Sequence, residues 1–414
     1  MSSTITSRTL NLRAQFVTQL AKRLHEYGTS AHRLEGAINS VAKRLEMDAH
    51  VLSTPTSLIL SLHDLAANGD RLTIPTQVIR LHPGAINLSK LSHVDEIAEF
   101  VLAGTLNLEQ GYHQLEALTD DPSSLNRVLT LLSYALASGS VAVLLKTSLI
   151  DVGVAFSLGL MVGLIAWASE RSRRMAGSFE ALSALLATLA AYLISALLPH
   201  FAAKPVIMAS LIVLLPGLSL TIAITELSTQ HLMSGTARFA GAMTALLKLA
   251  FGFVLGTELI KLMGLSVHGS VVDALPSWAV WVALPFAAFS FAVLFKARFR
   301  DYPLVMLAVI YGYVATRIGS EIFNPDFGIF IAGLLVAAAA NIYAGLCNRP
   351  GALIRLPGII LLVPGSVGYR SLSLLMEKNV ESGLEVGFAL MIALISLVAG
   401  MLFGNLIVPP RRNL

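Results

Sequence analysis

Pro216-Gly217, Gly235 and Gly256 recur as Pro364-Gly365, Gly383 and Gly404, each displaced by 148 positions. The same displacement superimposes Phe179, Ala184, Leu186, Ala190 and Ala191 on Phe327, Ala332, Leu334, Ala338 and Ala339. Five apolar segments fall in each half. An odd number of spans per copy forces the second copy to enter the membrane from the opposite side. Inverted repeats with a Pro/Gly-interrupted helix at matching places are the architecture of secondary transporters, with substrate held near the bilayer midplane.

Composition agrees with a membrane protein. Hydrophobic residues make up 55% and charged residues 13% of the 414 positions, outside the range of soluble domains. Residues 1–125 carry charges throughout and have no long apolar run. From Val128 onward the chain is a train of stretches near the ~20 residues that a helix needs to cross a hydrocarbon core. No basic segment followed by an apolar core opens the chain, so no cleaved signal peptide is expected. Cys347 is the sole cysteine, which excludes an intramolecular disulfide. The net charge of +4 reads as membrane topology, and no nucleic-acid partner is expected.

Helical patterns are predicted over 12–27 and 31–47; in the second, Leu34, Ile38, Val41 and Leu45 share one face. Short strands are expected at 50–53, 57–63 and 73–81, with turns at Gly69-Asp70 and Pro83-Gly84. A third helix is expected over 92–118, and Asp120-Asp121-Pro122 is the expected hinge into the membrane. The expected spans are 128–145, 152–168, 179–198, 205–227 and 237–260, then 275–295, 303–318, 327–346, 353–375 and 384–408. The predicted fold is therefore an α-helical polytopic membrane protein. It has ten transmembrane helices as two inverted five-helix repeats (126–270 and 271–414), preceded by a small cytoplasmic α+β domain (1–125). Arg171, Arg173, Arg174, Arg238, Lys296, Arg298, Arg300, Arg349, Arg355, Arg411 and Arg412 fall on one side with the N-terminal domain. The other side has single charges: Lys146, Lys204, Lys261, Arg317 and Lys378. The positive-inside rule then puts both termini in the cytoplasm.

The fourth and ninth spans carry the sharpest site signal. Pro216 and Pro364 each remove a backbone donor and clash with the preceding turn, and Gly217 and Gly365 add backbone freedom at the same points. A broken helix frees backbone groups that hydrocarbon would penalise, so each break is expected to be packed in protein or to line a wet cavity. The neighbouring Ser219, Thr221, Ser366 and Tyr369 are candidate contacts; a structural kink is the alternative for one proline, and two breaks at matching positions favour a site. Lys248 lies about ten residues into the fifth span, where a lysine costs about 2.5–3.5 kcal/mol and calls for a partner or a cavity. Arg370 and Glu226 follow the two breaks and are candidates for anchoring a zwitterion, or else form ion pairs or snorkel. Asn341 could bond ligand or a neighbouring helix.

No G-x-x-x-x-G-K-[ST] loop and no H-E-x-x-H is present, and no nucleophile–base set emerges, so the chain is not read as an enzyme. No cofactor and no metal are expected; His32 with Glu35, or His63 with Asp64, read as surface residues. Protons are the leading coupling ion because titratable groups lie within the spans.

The order and spacing of several short motifs resemble the threonine/serine exporter family. They are Gly28, Ser30 and His32-Arg33-Leu34-Glu35, then Thr54-Pro55-Thr56, then Pro216-Gly217 with Glu226 and Gly235, then Val363-Pro364-Gly365-Ser366 with Tyr369-Arg370. The resemblance spans nearly the whole chain and implies the fused form of a family that also exists as two proteins. It implies export of threonine and serine from the cytoplasm, driven by the proton gradient, across a bacterial inner (cytoplasmic) membrane. Partners implied are the small-molecule substrate, protons and lipid, with a homo-oligomer left open. Some split relatives are linked to succinate, so a dicarboxylate exporter is the alternative. A membrane receptor with a cytoplasmic signalling domain is a third reading. The N-terminal domain is expected to cap or gate the cytoplasmic mouth.

Overall fold

The computed structural model describes residues 2–65, 73–118, 124–198, 201–265 and 274–410. The N-terminal region comprises α1 (Ser2–Glu26), α2 (Ala31–Arg44), β1 (Met47–Thr54), β2 (Ser57–Asp64), β3 (Thr73–Arg80), α3 (Leu88–Leu102) and α4 (Leu108–Ala117). The strands form one antiparallel sheet in the order β1-β2-β3. Alternation along β2 buries Leu58, Leu60 and Leu62 against Phe16, Leu20, Leu34 and Ile38 of the first two helices. Pro55-Thr56 is the β1–β2 turn, closed by the Ser57 amide donating to Thr54 Oγ1 at 3.1 Å. The single helix expected over 92–118 is instead two: Gly104 takes φ +74° and Asn107 caps the next helix by accepting from the Gln110 amide at 2.7 Å. Gly69-Asp70, Asp120-Asp121-Pro122 and Arg411-Arg412 lie outside the described residues.

The rest of the chain is helical. It contains α5 (Ser124–Leu144), α6 (Leu149–Ser169), α7 (Arg173–Leu197), α8 (Ala203–Ser210), α9 (Gly217–Ser228) and α10 (Leu232–Leu262). Then follow α11 (Ala279–Leu294), α12 (Tyr302–Ile322), α13 (Pro325–Cys347), α14 (Ala352–Ile359), α15 (Gly365–Met376) and α16 (Val380–Ile407). Among the described residues, seven helices are long and apolar enough to cross a membrane, or eight if α8 and α9, bent by 50°, form one span. This is a mostly helical, polytopic membrane protein. Ten uniform spans do not emerge, because the ninth expected span is divided into α14 and α15, of 8 and 12 residues. The sixth, α11, is a shorter apolar helix of 16 residues that begins only at Ala279.

The backbone repeats at the displacement seen in the sequence. Helices α9 and α15 have bounds 148 residues apart, and the prolines before them share one conformation: φ −80°, ψ 37° at Pro216 and φ −83°, ψ 40° at Pro364. Two residues past the end of each helix stands a residue with φ +66°, Gln230 and Lys378. Both are followed by an equivalent amide-to-carbonyl bond, His231 to Glu226 at 2.9 Å and Asn379 to Leu374 at 3.0 Å. Gly235 then packs on Leu227, and Gly383 packs on Leu375. Helix α7 lies against α10 as α13 lies against α16, while α9 touches α16 and α15 touches α10 reciprocally.

Candidate functional site

The two breaks touch. A Cβ on Gly217 would meet Gly365 N at 2.9 Å and its Cα at 3.0 Å, and a Cβ on Gly365 would meet Gly217 N and Cα at 3.0 Å. Pro216, Gly217, Pro364 and Gly365 are thus brought together at the crossing of α9 and α15, as only residues without side chains allow. Ser219 and Ser366 are half-buried beside them in the chain. Thr221 is buried one turn further on and donates to the Gly217 carbonyl at 3.2 Å.

At the far end of α9, Glu226 is fully buried. It accepts from Ala31 N and Ser234 Oγ at 2.9 Å each, and from Arg238 Nε at 3.2 Å and Nη2 at 3.3 Å. A carboxylate has about four acceptor sites, and these bonds use them. Glu226 therefore receives the N-terminus of α2, where the helix dipole favours a negative charge. Beside it, Glu35 accepts from Ser53 N at 2.9 Å and pairs with His231 Nε2 at 3.2 Å. His32 stacks obliquely on His231 at 6.0 Å. Burial, with the nearby Arg33 and His231, pushes the His32 pKa down to about 3, so its ring is neutral. Burial brings the Arg33 guanidinium down to about 10, which leaves it charged at pH 7.

The N-terminal region also grips the second half. Leu88 N and Ser89 N donate to the Phe295 and Lys296 carbonyls at 3.0 Å each, and Arg298 forks onto Glu96 at 2.7 and 3.1 Å. Arg238 and Arg298, read from sequence as topology signals, are also the anchors of this docking.

Where α2, α9, α14 and α16 meet, a cavity of about 70 Å³ is lined by Arg33, Thr221, Thr225, Arg355 and Asn405, among others. Arg355 donates Nη2 to Asn341 Oδ1 at 2.6 Å, and Asn341 Nδ2 donates to Asn405 Oδ1 at 2.9 Å and to the Val408 carbonyl at 2.7 Å. Asn341 is thus held by protein and stands behind Arg355. Of the site residues expected from sequence, Thr221 alone lines this cavity. Lys248 lies elsewhere: it donates to the Gly177 carbonyl at 3.0 Å and sits 3.6 Å from Glu180, near the start of α7. Tyr369 is buried edge-on against Phe253, 6.1 Å between centroids, and Arg370 is exposed. Sequence reasoning left Arg33 inside a family motif and Arg355 among the topology-setting charges, and proposed neither as a site residue. The signal for Arg355 was its place inside an apolar run. Among the described residues no group of three or more His, Cys, Asp or Glu could hold a metal ion.

A polytopic helical membrane protein built on two interrupted, repeated helices defines the class. The chain belongs to the threonine/serine exporter family: the family described as "Putative threonine/serine exporter" matches residues 15–260, and "Threonine/Serine exporter, ThrE" matches residues 280–407. Curated relatives include proteins named pheromone-regulated membrane protein 10. Those of Pichia sorbitophila and Debaryomyces hansenii are 25% and 26% identical over 87% of this chain, and cover 37% and 36% of their own lengths. That of Saccharomyces cerevisiae is 24% identical over 86% of this chain and 46% of its own length. The chain thus spans less than half the length of these relatives. No solved structure matches it.

Proposed function

We propose that this protein is a secondary active exporter of threonine and serine, driven by the proton gradient, with ten spans in two inverted five-helix repeats. The observation that carries this reading is the pair of breaks at Pro216-Gly217 and Pro364-Gly365, alike in backbone and touching each other, in a chain whose two halves match the exporter family. With five spans per copy, α9 and α15 run in opposite senses across the bilayer. The docked N-terminal region and the basic connections share one side, taken as cytoplasmic together with both termini. The region then caps the mouth on that side. A bacterial inner membrane follows from the resemblance alone, since the relatives above are yeast proteins.

Dicarboxylate export is a second reading, favoured by one observation: two arginines and no Asp or Glu line the cavity. Proteoliposomes decide between them. Under an imposed pH gradient, labelled threonine or serine moves on the first reading, and succinate alone moves on the second. A folded protein that moves none of them contradicts both.

A further inference from the structure

Arg355 is 8% exposed, and its Nε and Nη1 have no hydrogen-bond partner while Nη2 bonds Asn341. Among the described residues it has no ion-pair partner, and neither has Arg33, which faces the same cavity from α2. A buried guanidinium without a counter-charge is costly, and each unmade buried bond adds to that cost. An anion arriving in the cavity would offset both costs. The fork of Arg355 with two idle donors matches the two oxygens of a carboxylate, and a second guanidinium lining the same cavity adds to the attraction. The hydroxyls of Thr221 and Thr225 donate back to their own helix, to Gly217 and Thr221, and among the described residues neither is bonded to an arginine.

We propose that this cavity is a binding site for a small carboxylate, held between Arg355 of the membrane helices and Arg33 of the N-terminal region. The proposal deepens the exporter reading by placing the ligand's carboxylate where the N-terminal region meets α9, α14 and α16. The N-terminal region is then part of the ligand site as well as a cap, and an undocked region leaves half the grip missing.

Equilibrium binding tests this without any flux. The full chain in lipid nanodiscs is titrated with labelled threonine and labelled succinate, with acetate as competitor. At least one of the two should bind, be displaced by acetate, and weaken tenfold or more in both Arg355→Gln and Arg33→Gln. Arg33→Gln breaks no hydrogen bond or ion pair among the described residues and serves if Arg355→Gln does not fold. Wild-type affinity in the folded variants, weakening confined to Arg355→Gln, or no binding of either ligand to the wild type overturns the proposal. Arginine-dependent binding in a protein that moves no threonine or serine would remove the exporter reading and keep the site. Threonine flux with binding untouched by both substitutions would do the reverse.

Discussion

The connections after α9 and after α15 have one backbone and two chemistries. Gln230 and Lys378 share a left-handed φ of +66°, and the same amide bond follows each. At the positions corresponding to Glu226, His231 and Arg238, however, the second half has Leu374, Asn379 and Val386. Arg355 of α14 corresponds in turn to buried Ile207 of α8. What the repeat keeps is steric: Pro-Gly at the breaks and glycine where helices cross. What it does not keep is charge, and the charges gather where the N-terminal region docks. The geometry of a span is thus separable from the question of what it faces.

The largest effect that should break this comparison comes from Glu226→Ala. It strands Arg238 and the N-terminus of α2, and should cost about 3 kcal/mol or more, read as a fall in unfolding temperature with release of the N-terminal region to protease. Leu374→Ala, its counterpart, should leave that docking intact. Next, acid should loosen the same junction. His32 stays neutral in the folded protein down to about pH 3, but once released it protonates near its ordinary 6.5. Its contribution is complete above pH 6.5 and is lost as pH falls toward 3, amounting to about 2 kcal/mol at pH 5. His25, also depressed by burial, acts in the same direction, so a shallower pH slope in His32→Gln isolates the share of His32.

The crossing of the breaks sharpens the comparison further. Gly217→Ala drives a methyl into the Val363 side chain as well as the Gly365 backbone, whereas Gly365→Ala meets its neighbours at 3.0 Å or more. Thermal unfolding should show about 2 kcal/mol for the first and about 1 for the second. The smallest effect belongs to the other side of the molecule. Lys204 and Glu377 form an exposed pair at 3.1 Å, and Lys204→Ala should change stability by less than about 0.5 kcal/mol.

The repeat was legible in the sequence because glycine and proline report backbone shape directly, and backbone shape is what was duplicated. The apolar runs likewise announced a polytopic protein, and Pro364-Gly365 announced the break in 353–375, where α14 ends at Ile359 and α15 begins at Gly365. Side-chain partners were not legible. Lys248 called for a partner or a cavity, but its neighbour Glu180 lies 68 positions earlier, joined to it only by the packing of α7 on α10. Glu226 suggested an anchor for a zwitterion or an ion pair, and its oxygens go to α2 and α10. Arg33 and Arg355 stand more than 300 positions apart, and only the docked N-terminal region puts them on one cavity.

The central claim is that one backbone is used twice in opposite orientations. It is tested most directly by replacing Cys347 with serine and introducing single cysteines, Gln230→Cys or Lys378→Cys, at equivalent exposed positions. A membrane-impermeant maleimide should label Gln230→Cys only from the face that carries the N-terminal region, and Lys378→Cys only from the opposite face. Labelling of both from the same face would contradict the inverted repeat.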